Sequence, residues 1–164
     1  RLGWAHLQGH TLWGAVAGLA FGALVVGLSR LTTRWFGWGK RLHMEFHEVL
    51  RGLPLSGSFA IAFFSALGEE AMFRGAMQPT LGIWITSVVF GLLHMPVRRG
   101  LWPWPFLAFA MGLCFGWLYE WSGDLLAPFI AHFTINFVNL QHIARVRYPG
   151  FEPPDPEPPA PVEP

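Results

Sequence analysis

Long uncharged hydrophobic runs alternate with short polar segments along most of the chain. Residues 12–28 contain seventeen consecutive residues without a charged side chain. A run of this length just suffices to cross the hydrocarbon core of a bilayer and exceeds the apolar core of a signal peptide. Four similar runs follow at about residues 58–78, 81–95, 105–121 and 125–142. The pattern predicts an all-α polytopic transmembrane helix bundle of about five spans.

Small residues recur every fourth position in the first run, at Gly14, Gly18 and Gly22. This spacing lets a second helix approach closely in a membrane. An equally good interpretation is that membrane helices are simply rich in glycine.

The segment between the first two runs has a different pattern, because charged residues fall between regularly spaced apolar ones. The apolar positions are Trp38, Leu42, Phe46, Val49, Leu50 and Leu53. This periodicity predicts an interfacial amphipathic helix lying flat among the lipid headgroups. The sequence His43-Met-Glu-Phe-His47 differs from the zinc motif HExxH, since its Glu stands one place too late. We interpret it as the headgroup-facing part of this helix.

Composition agrees with a membrane protein. The chain of 164 residues is 52% hydrophobic and 13% charged, whereas soluble domains carry about 25% charged residues. This composition argues against a water-soluble globule. The single cysteine, Cys114, excludes a disulfide framework and a cysteine-based zinc site, and we interpret it as a small hydrophobic residue.

The net charge of +1 hides an asymmetry, because four acidic residues lie in the last thirteen positions. Residues 1–150 carry eleven basic and six acidic groups, a balance of +5. The basic residues stand in short clusters between apolar runs, which is typical of membrane topology and not of nucleic-acid binding. With five spans, every cluster falls on one side, which the positive-inside rule makes cytoplasmic. The clusters are Arg30, Arg34, Lys40, Arg41 and Arg51; Arg98 and Arg99; and Arg145 and Arg147.

The two ends of the chain suggest its organisation. We predict a transmembrane domain over residues 1–147, in a bacterial cytoplasmic membrane with the C-terminus inside. Residues 148–164 are rich in proline and acidic residues, so we expect a disordered tail. Because the chain begins with Arg1, we also expect an upstream segment that could hold further helices.

Charged residues inside the second run call for an explanation. A charge within a span costs at least ~2.5–3.5 kcal/mol, and this run contains Glu69, Glu70 and Arg74. Glu70 and Arg74 have the favourable four-residue spacing of a helical ion pair. Glu69 lies about 100° around the helix from its neighbour and gains no partner from its own span.

Two other spans carry polar residues at similar depth, namely His94 in the third and His132 with Asn136 in the fifth. At about 1.5 Å per residue, these groups and Glu69 can converge on one cavity. A carboxylate held away from bulk water can act as a general base. Histidine and asparagine side chains can donate hydrogen bonds to a developing oxyanion. The constellation predicts attack of an activated water on a carbonyl group.

Three motifs resemble the signatures of the CPBP (ABI) family of intramembrane proteases, which includes type II CAAX prenyl endopeptidases. They are EEAMFRG (69–75), FGLLH (90–94) and HFTIN (132–136). The resemblance implies that Glu69 and His94 activate water and that His132 and Asn136 stabilise the oxyanion. It also implies that Glu70, Arg74 and Phe90 support the geometry. The family is described as glutamate-dependent, so the resemblance implies no metal or other cofactor.

Two alternatives remain open at this point. Glu69, His94 and His132 are zinc ligands by type, which would make a zinc-dependent version of the protease. The same buried groups could also belong to a non-catalytic membrane scaffold or immunity-type protein. The expected partners are the lipid bilayer and a peptide or protein substrate, such as a membrane-anchored, C-terminal or leader segment, with no nucleic acid.

Overall fold

The computed structural model of the chain describes residues 4–95 and 102–153, with side chains from residue 12 onward in those ranges. All regular structure within these ranges is helical, which confirms the predicted fold class. The helices are α1 (Trp4–Trp35), α2 (Gly37–Leu50), α3 (Leu55–Glu70), α4 (Gln78–Leu93), α5 (Pro103–Ser122) and α6 (Leu126–Arg145), and a π-helical segment (Ala71–Met77) joins α3 to α4.

The predicted spans correspond to the long helices. Among the described residues, two helical stretches, Leu12–Trp35 and Leu55–Leu93, are long and apolar enough to cross a bilayer. The second is broken at Gly82, where φ is 76° and ψ is 165°. Glycine adopts this conformation without strain, and the break lies close to the predicted boundary between the second and third spans. Helices α5 and α6 have 20 residues each, which corresponds to about 30 Å.

The interior of the described part of the bundle is rich in small and polar side chains, and many large apolar side chains lie on its outer surface. Its buried apolar residues include many alanines, such as Ala62, Ala66, Ala127 and Ala131. Large side chains such as Phe64 and Leu19 are more than half exposed. Because lipid tails are as apolar as leucine, a membrane bundle gains little by burying such residues and instead packs through close backbone approach. This distribution suits a bundle surrounded by lipid.

Helix α1 packs against α6 through the glycine repeat. A Cβ atom added to Gly18 would collide with the backbone carbonyl oxygen of Ala127, and one added to Gly22 would lie 2.9 Å from the Cβ of Thr134. At Gly14 the nearest atom would be 3.4 Å away. Of the two interpretations of the repeat, close helix approach therefore applies to Gly18 and Gly22.

Helix α2 corrects one expectation. Its His43–His47 segment does not face the headgroups, since His43, Met44, Glu45 and His47 are buried. The imidazole of His43 donates through Nε2 to the carbonyl of Val146 at 2.8 Å, and His47 donates through Nδ1 to that of Ile143 at 2.6 Å. The last carbonyl groups of a helix lack partners within it. His47 supplies such a partner for Ile143, and His43 binds the carbonyl of Val146, the residue that follows α6, so the two histidines attach α2 to the end of α6.

The chain after α6 continues along α2 with an irregular backbone up to residue 153. Tyr148 stacks edge-on against His43 with ring centres 4.8 Å apart, and the ammonium of Lys40 lies 5.1 Å from the ring centre of Phe151. The division into residues 1–147 and 148–164 stays a prediction. Residues 154–164, like Arg98 and Arg99, lie outside the described residues.

We expect Gly18→Ala to destabilise the bundle and Gly14→Ala to be tolerated. The added methyl at position 18 meets a backbone carbonyl, so relief requires moving α1 away from α6. Overpacking of this kind costs about 1–3 kcal/mol. Thermal unfolding of both variants in the same detergent provides the measurement. Equal stability of the two variants would contradict the proposed packing.

We expect stability to fall in mild acid because of His43. Burial lowers the pKa of His43, helped by His47 and Arg30 and opposed by the hydrogen bond to Val146. The unfolded chain therefore binds a proton at this position more readily than the folded protein does. The neutral His43 ring leaves the folded state at full stability above about pH 6.5. That stability is lost as the pH falls through the lower pKa of the folded state. The other titratable side chains packed against the His43 ring are those of His142 and Tyr148, with ring centres 5.2 and 4.8 Å away.

The measurement is the unfolding temperature of the wild type and His43→Gln between pH 4 and 7. The variant lacks the titrating ring, so its curve should be flatter than that of the wild type. Two parallel curves would show that His43 does not contribute to the acid sensitivity.

Candidate active site

The junction between α3 and α4 positions the charged residues of the first motif. Glu69 and Glu70 are the last two residues of α3, and Arg74 lies in the π-helical segment. π-helices are rare and occur mostly at functional sites. The sequence-based prediction was a regular helix here, because the apolar periodicity contains no signal for the wider turn.

Glu70 is the centre of a buried ionic network. Its Oε1 atom lies 3.2 Å from Nη1 of Arg74 and 2.8 Å from Nδ1 of His132. The expected Glu70–Arg74 pair therefore forms, and the same carboxylate also holds His132. Arg74 donates a further hydrogen bond through Nη2 to the carbonyl of Gly112, at 2.9 Å. The side chains of Glu70 and Arg74 are 1% and 0% exposed, so the network joins α3, α5 and α6 inside the bundle.

Three phenylalanine rings surround the guanidinium of Arg74. Its Cζ atom lies 4.9 Å from the ring centre of Phe90, 5.4 Å from Phe115 and 5.8 Å from Phe73. Such rings attract a cation through their negative faces. Phe115 also stacks on His132 at 4.8 Å, so the aromatic cluster supports the imidazole and the guanidinium together.

Glu69 lies between two histidines from different helices. Its Oε2 atom is 3.9 Å from Nε2 of His94 and 3.9 Å from Nε2 of His132. This oxygen is buried and has no hydrogen-bond partner within the described part of the chain. A separation of 3.9 Å exceeds a hydrogen bond but is within reach of a bridging water. The expected convergence of these three residues is therefore present in the geometry.

The orientation of His94 follows from its place at the end of α4. Its Nδ1 atom donates to the carbonyl of Phe90 at 2.7 Å, and the two rings lie 4.5 Å apart. A neutral imidazole carries one hydrogen, so a donor at Nδ1 leaves Nε2 as an acceptor. That acceptor lies 3.9 Å from Oε2 of Glu69, and Trp104 of α5 meets the ring of His94 with centres 5.9 Å apart.

Asn136 lies one turn beyond His132 on α6, and its contact is with α3. Its Nδ2 atom donates to Oγ of Ser65 at 3.2 Å. Sequence analysis missed Ser65, although its position four residues before Glu69 places it on the same side of α3. Sequence analysis also missed the three aromatic neighbours Phe73, Phe115 and Trp104, because aromatic residues are frequent throughout this chain.

Among the residues that the structure describes, no group of three or more His, Cys, Asp or Glu side chains is arranged to hold a metal ion. The arrangement can place one water between the carboxylate oxygen of Glu69 and the Nε2 nitrogen of His94. Either atom can accept a proton from that water.

Comparison with known proteins adds a family relationship. The sequence model of the family described as type II CAAX prenyl endopeptidase Rce1-like matches residues 51–138, which is more than half of the chain and includes the three motifs. An uncharacterized protein, YpbD of Bacillus subtilis (strain 168), is 34% identical over 90 residues. That match covers 51% of this chain and 46% of YpbD, so the chain spans less than half the length of this relative. No solved structure matches the chain significantly.

We expect Glu70→Gln to destabilise the protein by about 3–5 kcal/mol, because it leaves a buried Arg74 charge without compensation. The matched control is Glu152→Gln, which removes an exposed partner of Arg147 at 3.3 Å and should leave stability almost unchanged, because water screens a surface pair. Thermal unfolding in detergent compares the two variants. An equally small effect of both would contradict the structural role of Glu70.

Proposed function

Because the chain belongs to the type II CAAX prenyl endopeptidase Rce1-like family, we propose that it is a membrane-embedded peptidase in which Glu69 and His94 activate a water molecule. Proteins of this family are membrane-embedded and are generally proteases. The observation that carries the proposal is the position of Glu69 Oε2, 3.9 Å from the Nε2 atoms of both His94 and His132.

In the proposed reaction the water oxygen attacks the carbonyl carbon of a peptide bond. One of its protons passes to the carboxylate of Glu69, while Nε2 of His94 accepts the hydrogen bond that orients the water. When the carbon–nitrogen bond breaks, the proton on Glu69 moves to the leaving amine. The products are a carboxylic acid and an amine, and Glu69 returns to its starting state.

His132 and Asn136 are proposed to stabilise the oxyanion of the tetrahedral intermediate. Nε2 of His132 points to the side of Glu69, while its Nδ1 is held by Glu70. An imidazolium form can donate at both nitrogens, and Glu70 provides the anionic partner for that form. The amide of Asn136 has two hydrogens, of which the bond to Ser65 uses one.

Glu70, Arg74 and Phe90 are proposed as supporting residues. The carboxylate of Glu70 sets the orientation of His132, and Arg74 with its aromatic neighbours holds that carboxylate in place. Phe90 contributes the carbonyl that fixes the ring of His94. Active sites depend on such contacts because small displacements of the reacting groups reduce rates strongly.

The proposed substrate is a peptide or protein segment that reaches the site from the lipid or from the cytoplasmic interface. We propose that the protein lies in a bacterial cytoplasmic membrane with its basic segments on the cytoplasmic side. In support, the contacts of His43 with Val146 and of Arg30 with Asn139 bring the basic ends of α1, α2 and α6 to one end of the bundle. The positive-inside rule makes this end cytoplasmic.

We expect Glu69→Gln to reduce hydrolysis by about 10²- to 10⁴-fold, the usual contribution of a general base. The purified protein in proteoliposomes is incubated with a peptide library in H₂¹⁸O, and mass spectrometry identifies products with ¹⁸O in the new carboxyl group. Glu48→Gln, a change to a partly exposed carboxylate of α2, is the matched control and should cleave like the wild type.

The same experiment separates the alternatives. Hydrolysis that persists in Glu69→Gln contradicts the role of Glu69. Loss of activity with a chelator and recovery with zinc indicates the zinc-dependent version. A folded wild type that produces no labelled products indicates a non-catalytic scaffold.

A further inference from the structure

Exposure is uneven among the described side chains of the candidate active site. Those of Glu69 and His94 are 27% and 24% exposed, whereas that of His132 is 7% exposed and that of Glu70 is 1% exposed. Of these four residues, Glu69 and His94 are therefore the ones that an incoming peptide can contact. Whatever lies beside His94 borders the path of the substrate.

Two aromatic side chains lie on the side of His94. Trp104, in the first turn of α5, meets the ring of His94 edge-on, with centres 5.9 Å apart and planes at 63°. Phe46 of α2 meets Trp104 in turn at 5.1 Å and 71°. Both side chains are only partly buried, so they retain surface that a third group can contact. The pair forms an apolar wall that extends outward from His94.

The position of this wall is set by polar contacts elsewhere on α2. His43 and His47 donate hydrogen bonds to carbonyls at and just after the end of α6. Phe46 lies between them in sequence and approaches α5. Helix α2 thus extends from the end of α6 to the start of α5, near His94. A subsite built on helices holds its geometry better than one built on loops.

We propose that Phe46 and Trp104 form a binding subsite for a bulky apolar side chain of the peptide, next to the bond that is cleaved. The proposal rests on the proposed peptidase function. A reacting carbonyl lies about 3–3.5 Å from the attacking water, and consecutive Cα atoms are about 3.8 Å apart. Because Trp104 contacts the ring of His94, a long side chain one residue from the cleaved bond can extend past His94 toward Trp104, and Phe46 continues the same aromatic wall.

The chemistry of the pair explains the preference for an apolar group. Two aromatic rings offer a large apolar surface, and binding excludes water from it. A single methylene group in an apolar pocket changes kcat/KM by about 10- to 200-fold. We therefore expect peptides with Leu, Met or Phe at this position to be cleaved at least about tenfold more efficiently than the same peptides with Ala.

The experiment measures kcat and KM for paired peptides that differ only in Leu or Ala beside the cleaved bond. In Phe46→Ala and Trp104→Ala the Leu/Ala ratio of kcat/KM should fall toward one, mainly through a higher KM for the Leu peptide. Trp117→Ala is the matched control, because Trp117 is a half-exposed tryptophan on the same helix that contacts Trp84. It should keep the wild-type ratio.

A purely structural role for the pair predicts a different result, namely an equal loss of kcat for both peptides. That result, or an unchanged ratio, would overturn the subsite while Glu69-dependent cleavage by the wild type persisted. If the wild type cleaves nothing, the peptidase proposal fails, and the subsite is tested by binding alone. In that case Phe46→p-benzoylphenylalanine should photo-crosslink the Leu peptide in preference to the Ala peptide, and equal crosslinking would reject the subsite.

Discussion

The ion pair between Glu70 and Arg74 is the interaction on which the rest of the site depends. A charge buried among apolar helices is tolerated only when a partner of opposite sign and enough hydrogen bonds compensate it. Here one carboxylate oxygen serves Arg74 and His132, and Arg74 also reaches a backbone carbonyl of α5. Satisfying these charges brings α3, α5 and α6 together, and this arrangement also places His132 beside Glu69.

Away from this polar centre, the helices pack through small side chains and polar pairs. Helices α1 and α6 meet at glycine and alanine, with Gly18 against the backbone of Ala127. Polar pairs connect α3 and α6 along their length, from Ser58 with Gln141 to Ser65 with Asn136. In a membrane such contacts replace the hydrophobic driving force that assembles soluble bundles. Apart from the phenylalanine cluster around Arg74 and buried Met44, many of the large apolar side chains lie on the outer surface, where lipid is their solvent.

Several features were predictable from the sequence because they depend on periodicity or on the energy of buried charge. The helical spans follow from uncharged runs, the Glu70–Arg74 pair from four-residue spacing, and the meeting of Glu69 with His94 and His132 from similar depth. Other features depend on tertiary contacts that no local pattern records. The burial of His43 and His47 requires the free carbonyls at the end of α6, and the bond from Asn136 to Ser65 requires the register of α3 against α6.

Glu69 and Glu70 are adjacent and chemically identical, so their different proposed roles have to come from their surroundings. Glu70 is held by a guanidinium and an imidazole at hydrogen-bond distance, and these partners keep its carboxylate in one orientation. A carboxylate held in this way orients its neighbours, which is the supporting role proposed for it.

Glu69 has no partner within hydrogen-bond distance among the described residues, and its side chain is 27% exposed beside two imidazole nitrogens. A water or substrate can therefore contact its carboxylate without breaking a structural contact. The order of the two residues matters for the same reason, since the turn of about 100° between neighbours on a helix directs one carboxylate into the packed core and the other toward a partly exposed position. One helical position thus separates the two roles that we propose for these acids.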